Sequence, residues 1–471
     1  MHIAAVVLAA GLGKRMNSYL PKVLHKLHGS TMLQHVLDTL YHLKPQKIVI
    51  VAGKHFKEIK ESIRYSDKIV FAHQKEAKGT GDALKIALPA LGEFKKTIVV
   101  VNGDTPLITR ATLKKFLTLH KRRKNDLSVL SFISQHPDSY GRIVRDEEGR
   151  IGSIVEDRDA AAFQKQIKEV NSGVYAIEQN ALNLLKKIKL NESKGEYYLT
   201  DIVSIAVDEG IKTDAFCIGS EDELTGINTR KELENVRQLM KTRIINSCLK
   251  KGVDFIDKDY VFIDSKVNIG NGTTIYPNVY LEGDTKIGRG CKIFPNVRIQ
   301  DSIIEDGAVI KDSALIESSV VRKEAVIGPF AHVRPESEIC NRARIGNFVE
   351  VKKSIIGPGT KAQHLTYIGD ARIGKDVNIG AGTIICNYDG YKKYITDIED
   401  NVFIGSDSQL IAPVKICRGA YVGAGSTITE DVPSEALAVS RVSQKNIEGW
   451  VLKRKLKVKS EKLEEKKKKK R

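Results

Sequence analysis

Apolar and polar positions along the chain follow two different rules. Up to about Thr229, short β-branched runs (IAAVVLA, KIVIVAG, KTIVVVNGD, DLSVLSFI) alternate with stretches such as TMLQHVLDTLYHL, whose apolar residues recur at helical spacing. That alternation predicts a mainly parallel sheet covered by helices. Ligands of such sheets sit beyond the carboxyl ends of the strands. The segment KELENVRQLMKTRIINSCLKK continues as a charged helical pattern that suits a rigid connector. The expected division is 1–230, a helical linker over 231–251, a second domain over 252–450, and a basic tail over 451–471.

The second domain keeps a period of six. Ile263, Ile269, Ile275, Leu281, Ile287, Ile293 and Ile299 recur without a gap, and the beat resumes at Ile304, Ile310 and Ile316. It continues through Ile327, Val333, Ile339, Ile345 and Val351, then Ile373, Ile379 and Ile385, then Ile404, Leu410, Ile416, Val422 and Ile428. A helix cannot hold that period on one face, whereas a flat-sided parallel β-helix can, each aliphatic marking an inward turn of a short side. Gly and Asn in NIGNGT, GPGT and NIGAGT supply tight corners. Between Ile385 and Ile404, CNYDGYKKYITDIEDNV breaks the beat and reads as a loop thrown out of the solenoid, where repeat proteins carry binding groups.

Composition narrows the classes. A chain of 471 residues exceeds one ordinary core, and 41% hydrophobic with 28% charged residues fits a soluble globular protein. No apolar run approaches bilayer length, and MHIAAVVLAAG lacks a basic n-region, so it reads as a first strand rather than a signal peptide. The six scattered cysteines form no CxxC or CxH cluster, which points to buried free thiols in a reducing cytoplasm. The net charge of +18 is concentrated: from Val451 to Arg471, twelve Lys and Arg against three Glu give +9 (12 − 3). Such a tail is expected to be disordered or a frayed helix, and solvated unless an anionic partner takes it.

Candidate chemistry begins with VVLAAGLGKRM. Its glycine loop can present backbone N–H groups to phosphate, and Arg15 adds a forked cation. It lacks the third glycine of a dinucleotide fingerprint and the GK[ST] of a P-loop. Lys22 follows Pro21. Gln74 in QKEAKGTGDA offers an amide able to read a base edge, beside Gly79 and Thr80. Asp104 ends a strand in VVVNGDTPL, a fit place for a Mg²⁺ carboxylate, and Gly141, Glu156 and Asn171 are further polar groups at strand ends.

AAGLGKRM, LPKVL, GTGDA, NGD, YGRIV, VNSGVY and GINTR together resemble the sugar-1-phosphate nucleotidyltransferase family. Within it they resemble the bacterial bifunctional N-acetylglucosamine-1-phosphate uridyltransferase/glucosamine-1-phosphate acetyltransferases. The resemblance implies a Rossmann-like α/β domain followed by a left-handed hexapeptide β-helix. It implies that Leu8, Ala9, Ala10, Gly11 and Lys22 meet UTP and its phosphates, that Gln74, Gly79 and Thr80 recognise uracil, that Gly141, Glu156 and Asn171 hold the amino sugar, and that Asp104 and Asn228 bind Mg²⁺. Asn102 stands where the family often has Tyr.

In the second half, RPESE, FVEVKKS, NIGAGTIICNYDG, GSDSQ, VGAGS and SRVS resemble the acetyltransferase half of the same enzymes. By that resemblance His364 is a general base, a task suited to a near-neutral pKa. Arg334 and Lys352 hold the sugar phosphate, Tyr367 and Asn378 complete the sugar site, and Ala381, Asn387, Tyr388, Ser406, Ala424 and Arg441 line acetyl-CoA. No cysteine is among the residues to which the resemblance gives a role, so transfer without an acyl-enzyme is expected. Gln363 stands where the family commonly has Gly or Asn. The resemblance further implies a homotrimer acting on glucosamine 1-phosphate, N-acetylglucosamine 1-phosphate, UTP and acetyl-CoA in a bacterial cytoplasm, with no nucleic-acid partner and no membrane insertion. The rival reading is a single-site nucleotidyltransferase whose β-helix only assembles or regulates.

Overall fold

The computed structural model describes residues 2–11, 13–63, 67–92, 94, 96–192 and 195–468. It forms two compact units, Met1–Ile287 with Ile299–Asp301, and Gly288–Arg298 with Ser302–Arg471.

In the first unit the main sheet runs, edge to edge, through Thr213–Gly219, Leu127–Ile133, Glu169–Ile177, Thr97–Asn102, Ile3–Ala9, Ile48–Ala52 and Ile69–His73. Ile3–Ala9 pairs in parallel with both neighbours. Glu169–Ile177 is antiparallel to both of its own, so this path carries one reversed strand, and the hairpin of Arg142–Arg145 and Ile151–Val155 joins the sheet through further antiparallel pairs. Ile3–Ala9 shows why the run reads as continuously apolar: Ile3, Ala5, Val7 and Ala9 enter one buried cluster while Ala4 and Val6 enter the other. Met32–Tyr41 covers the first face, with Thr31 capping it by accepting from the Gln34 N–H, and Thr80–Leu91 covers the second.

The connector spans Arg230–Lys250 and starts in a capping box between Thr229 and Glu232. It is more than a spacer, because Leu233, Val236 and Met240 share a buried cluster with Met16, Leu27, Met32, Leu107 and Ile227. The first solenoid turns also belong to this unit, with Asp254 paired to Thr274, Val261 to Val279 and Asn268 to Lys286, all in parallel.

The second unit is a parallel β-helix. One of its sides climbs through Val309, Val326, Arg344, Lys361, Asn378, Phe403 and Tyr421, each paired with the next. Every aliphatic of the six-residue beat is buried. The beat also runs through the gaps, since Val321, Ile356, Ala362, Ile368 and Ile398 are buried at the turns the repeat skips. A second inward position lies two residues before each aliphatic and holds a small side chain, as at Ala308, Ala325, Ala343, Thr360 and Val377. The alternation follows from the two-residue period of a strand. Because Thr396 and Ile398 point inward, the ejected loop is shorter than the sequence suggests and ends before Thr396.

The corners depart from expectation in one respect. Gly272, Gly359 and Gly382 take positive φ, but so do Phe330, Phe348 and Leu365. Rung-to-rung bonds hold these bulky residues there: Phe348 N–H donates to Phe330 O at 3.2 Å and Leu365 N–H to Asn347 O at 3.1 Å. The tail forms an exposed helix over Trp450–Lys468.

Candidate active sites

Four adjacent parallel strands of the first unit end on the same edge, and the candidate residues follow those ends. Gly103 N–H donates to Leu8 O at 2.9 Å and Gln74 N–H to Ala52 O at 2.9 Å, which fixes three loops side by side. Two adjoining cavities, of about 580 and 250 Å³, open there. The first is lined by Leu8, Ala9, Ala10, Gly11, Lys22, Gln74, Gly79 and Thr80. The second is lined by Arg15, Gly141, Asn171 and Asn228, and Asp104 and Glu156 face both. The glycine loop and the NGD turn thus share one crevice, as the strand pattern predicts. Leu12 lies outside the described residues.

Gly13 is glycine for a steric reason. It sits at φ 62°, and a Cβ there would lie 2.7 Å from Lys22 Cβ. The close approach delivers Lys22 to the cavity. Its ammonium pairs with Asp104 and donates to Asn228 Oδ1 at 3.0 Å, both partners being largely buried. Ile227 N–H donates to Asp104 O at 3.1 Å and so brings Asn228 alongside. The lysine is a stand-in cation on two hard oxygens, the donor type Mg²⁺ takes. Among the described residues no group of three or more His, Cys, Asp or Glu converges. An ion here would therefore complete its shell with phosphate oxygens and water, as Mg²⁺ commonly does.

Around the two cavities, hydrogen bonds fix the polar groups. Glu156 accepts from the Thr200 hydroxyl at 2.9 Å, and burial pushes its carboxyl up from the ordinary value. Asn171 donates to the Tyr175 phenol at 2.8 Å and accepts from the Gly173 N–H at 2.9 Å. The Gln74 amide donates to Gly79 O at 3.1 Å and to Asp82 at 2.8 Å. Thr200, which orients Glu156, escapes sequence reading because a lone Thr carries no motif, whereas Tyr175 closes the VNSGVY stretch without a role assigned to it.

In the β-helix unit the acetyl-transfer candidates gather along one edge and the side next to it. His364 Nδ1–H donates to Asn347 Oδ1 at 2.8 Å, which leaves Nε2 as the basic nitrogen. The edge climbs from there: Gly382 N–H donates to Leu365 O, Asp407 N–H to Ala381 O, Gly425 N–H to Ser406 O, and Arg441 to Ala424 O. His364, Ala381, Ser406, Ala424 and Arg441 thus occupy one ladder, and Asn378 lies on the side just before it, paired with Lys361. On the side just after it, Tyr367 is the register partner of Glu350 and Lys352 that of Gly369. Arg334 is bound to Glu350 at 2.7 Å.

Gly369 lets the tyrosine lie down, since a Cβ there would collide with Tyr367 Oη and sit 2.9 Å from Asn387 Nδ2. Asn387 is buried and donates to Asp370. Tyr388, half exposed, donates to Gly390 O within the ejected loop. The same loop delivers Lys393, for which the sequence carries no motif. Its hydrogen bond and positive charge hold the Lys352 amine below the usual lysine range, and Arg334 adds to the effect. Lys393 itself is shifted up by the same bond. Arg334, Lys352 and Lys393 thus gather positive charge beside Tyr367.

Comparison with known proteins covers both units. The family described as nucleotidyl transferase matches residues 4–221, the GMPPB C-terminal domain matches 258–337, and the bacterial transferase hexapeptide family matches 396–430. A protein of Thermodesulfovibrio yellowstonii named Bifunctional protein GlmU is 52% identical over 95% of this chain and 99% of its own length. Proteins of the same name from Caldanaerobacter subterraneus subsp. tengcongensis and Clostridioides difficile are 46% and 44% identical, over 95% and 96% of this chain and 97% and 98% of their own. Among solved structures, a UDP-glucose pyrophosphorylase complexed with UDP-glucose aligns over 52% of this chain and 100% of its own, with 17% identity and a TM-score of 0.43.

Proposed function

The chain belongs to the family of bifunctional GlmU proteins, and on that premise we propose how its two sites share the work. It is a transferase of UDP-N-acetylglucosamine synthesis with two activities, N-acetyl transfer to glucosamine 1-phosphate and uridylyl transfer to N-acetylglucosamine 1-phosphate. Its substrates are small nucleotides and sugar phosphates.

Uridylyl transfer belongs to the crevice of the first unit. Leu8 to Gly11, Arg15 and Lys22 meet the triphosphate, Gln74, Gly79 and Thr80 the uracil, and Gly141, Glu156 and Asn171 the sugar. Asp104 and Asn228 hold Mg²⁺, which when bound neutralises phosphate charge. The chain's own part is alignment of the sugar phosphate with the α-phosphorus, with Lys22 and Arg15 balancing charge on the leaving pyrophosphate.

Acetyl transfer belongs to the β-helix edge. His364 Nε2 takes the proton from the sugar amine as its nitrogen bonds to the acetyl carbon, and the C–S bond breaks to release coenzyme A, whose sulfur takes up the proton, with Asn347 fixing the tautomer. Arg334, Lys352 and Lys393 bind the sugar phosphate, Tyr367 and Asn378 the sugar. Ala381, Asn387, Tyr388, Ser406, Ala424 and Arg441 receive acetyl-CoA. Three copies associate; outward Ile303, Ile355, Ile384, Phe403 and Tyr421, each more than a third exposed, support that reading. The six cysteines form no disulfide, though only Cys248 and Cys291 are buried and Cys217 is exposed, and this supports a reducing cytoplasm.

The single observation behind two sites rather than one is His364, tautomer-fixed on the same ladder as the acetyl-CoA candidates and next to a triple-cation side. A solenoid used only for assembly has no need of it. The test supplies glucosamine 1-phosphate, acetyl-CoA, UTP and Mg²⁺ and follows free thiol and pyrophosphate separately. Both products are expected. Pyrophosphate without thiol release, when pre-acetylated sugar phosphate is given, would leave the single-site reading.

A further inference from the structure

We propose that the helix Trp450–Lys468 is a docking element for anionic lipid surfaces, on which it lies without crossing. None of the residues assigned to either transfer lies in it, and three of its leucines are exposed: Leu452, Leu456 and Leu463 at 67%, 67% and 60%. At about 100° per residue these three leucines fall within about 40° of one another, forming a single stripe. Lys455 and Lys459 border that stripe, while Glu461 and Glu465 fall on the opposite side of the helix. The acidic side chains are therefore kept off the leucine stripe, while cations border it and also stand on the far side at Arg454 and Lys457.

That sorting selects the partner. The segment from Val451 to Arg471 carries +9 of the chain's +18, so the remainder is also basic (18 − 9 = +9) and offers the helix no net opposite charge. Second copies of the helix would repel one another. A nucleic acid would reward the cations alone and gain nothing from a leucine stripe. An anionic bilayer surface rewards both: leucines enter the headgroup boundary while lysine stems lie along it with their ammoniums at the lipid phosphates. Among the described residues no helix is long and apolar enough to span, so the helix lies in the plane of the surface.

The experiment sediments the full-length protein with vesicles of phosphatidylcholine alone or with added phosphatidylglycerol, at about 150 mM salt. Two variants accompany it: a chain ending at Gly449, and Leu452→Gln/Leu456→Gln/Leu463→Gln, which keeps every charge. Retained uridylyl and acetyl transfer in both serves as the folding control. At least tenfold stronger binding to the anionic vesicles is expected, abolished by the truncation, weakened at least fivefold by the triple substitution, and falling as salt rises. Absence of binding to anionic vesicles, binding that survives the truncation, or binding indifferent to the leucines would overturn the proposal. Tighter binding to a duplex RNA or DNA than to the vesicles, unchanged by the triple substitution, would overturn it in favour of a nucleic-acid partner.

Discussion

Lys22 and Asn228 are joined across 206 residues by a 3.0 Å hydrogen bond, and the same ammonium pairs with Asp104. In the ligand-free protein the lysine thus satisfies the oxygens proposed for Mg²⁺. A divalent ion must displace it, so Lys22→Met is expected to bind Mn²⁺ about tenfold more tightly without nucleotide, the scale of one charge-assisted hydrogen bond. Counting free Mn²⁺ by electron paramagnetic resonance measures this. Equal affinities would contradict the competition, and gain that persists in Lys22→Met/Asp104→Asn would move the metal elsewhere.

Glu156 makes stability depend on pH. Burial raises its carboxyl, and burial likewise raises Asp201. Between the ordinary value and the raised one, the folded chain holds more protons than the unfolded chain. The contribution is thus complete below the ordinary value and is lost as pH rises through the raised value. Glu156→Gln should flatten that fall by about 1.4 kcal/mol for every tenfold by which folding weakens the carboxylic acid, read as unfolding free energy against pH. A parallel pH profile for the variant would contradict the assignment.

Lys352 and Lys393 share a hydrogen bond and repel one another, and a bound phosphate would relieve that repulsion. Lys352 is shifted down mainly by its bond to Lys393, so binding glucosamine 1-phosphate should take up protons increasingly as pH rises toward that lowered value. Calorimetry in two buffers of different ionisation enthalpy detects it. Lys393→Met should remove the uptake and weaken the sugar phosphate about tenfold or more; unchanged uptake would show that the pair is not the anion site.

Gly369→Ala should disable acetyl transfer by displacing Tyr367 and Asn387, because the added carbon would collide with the phenol oxygen and lie 2.9 Å from the amide nitrogen. A misplacement of about 1 Å costs on the order of 100-fold in rate. Pyrophosphate release should stay within about twofold, because the substitution lies in the β-helix unit. Normal thiol release would contradict the proposed sugar position.

The sequence made the large elements legible because their periods are strict. Six-residue spacing marks inward aliphatics, and strand–helix alternation marks the α/β unit. Val321, Ile356 and Ile368 drop out because the count slips by one where a rung is a residue shorter. The inward partners at Thr360 and Ser354 drop out because they are hydroxyls, buried only because they donate to Gly374 O and Lys352 O at 2.7 and 2.8 Å. Asn347 carries no motif of its own, though it stands one rung, 17 residues, before His364. A solenoid makes such a pair neighbours, so counting back one rung from the histidine finds it. Lys393 has no such signal, because its position depends on how the loop folds back.

The most direct test of two separable chemistries is His364→Ala, assayed for thiol release from acetyl-CoA with glucosamine 1-phosphate and for pyrophosphate release from UTP with N-acetylglucosamine 1-phosphate. The account predicts thiol release reduced at least about 100-fold and pyrophosphate release unchanged within about twofold. Thiol release at the parent rate would contradict the base assignment, and loss of both activities would make His364 a residue of folding rather than of acetyl transfer.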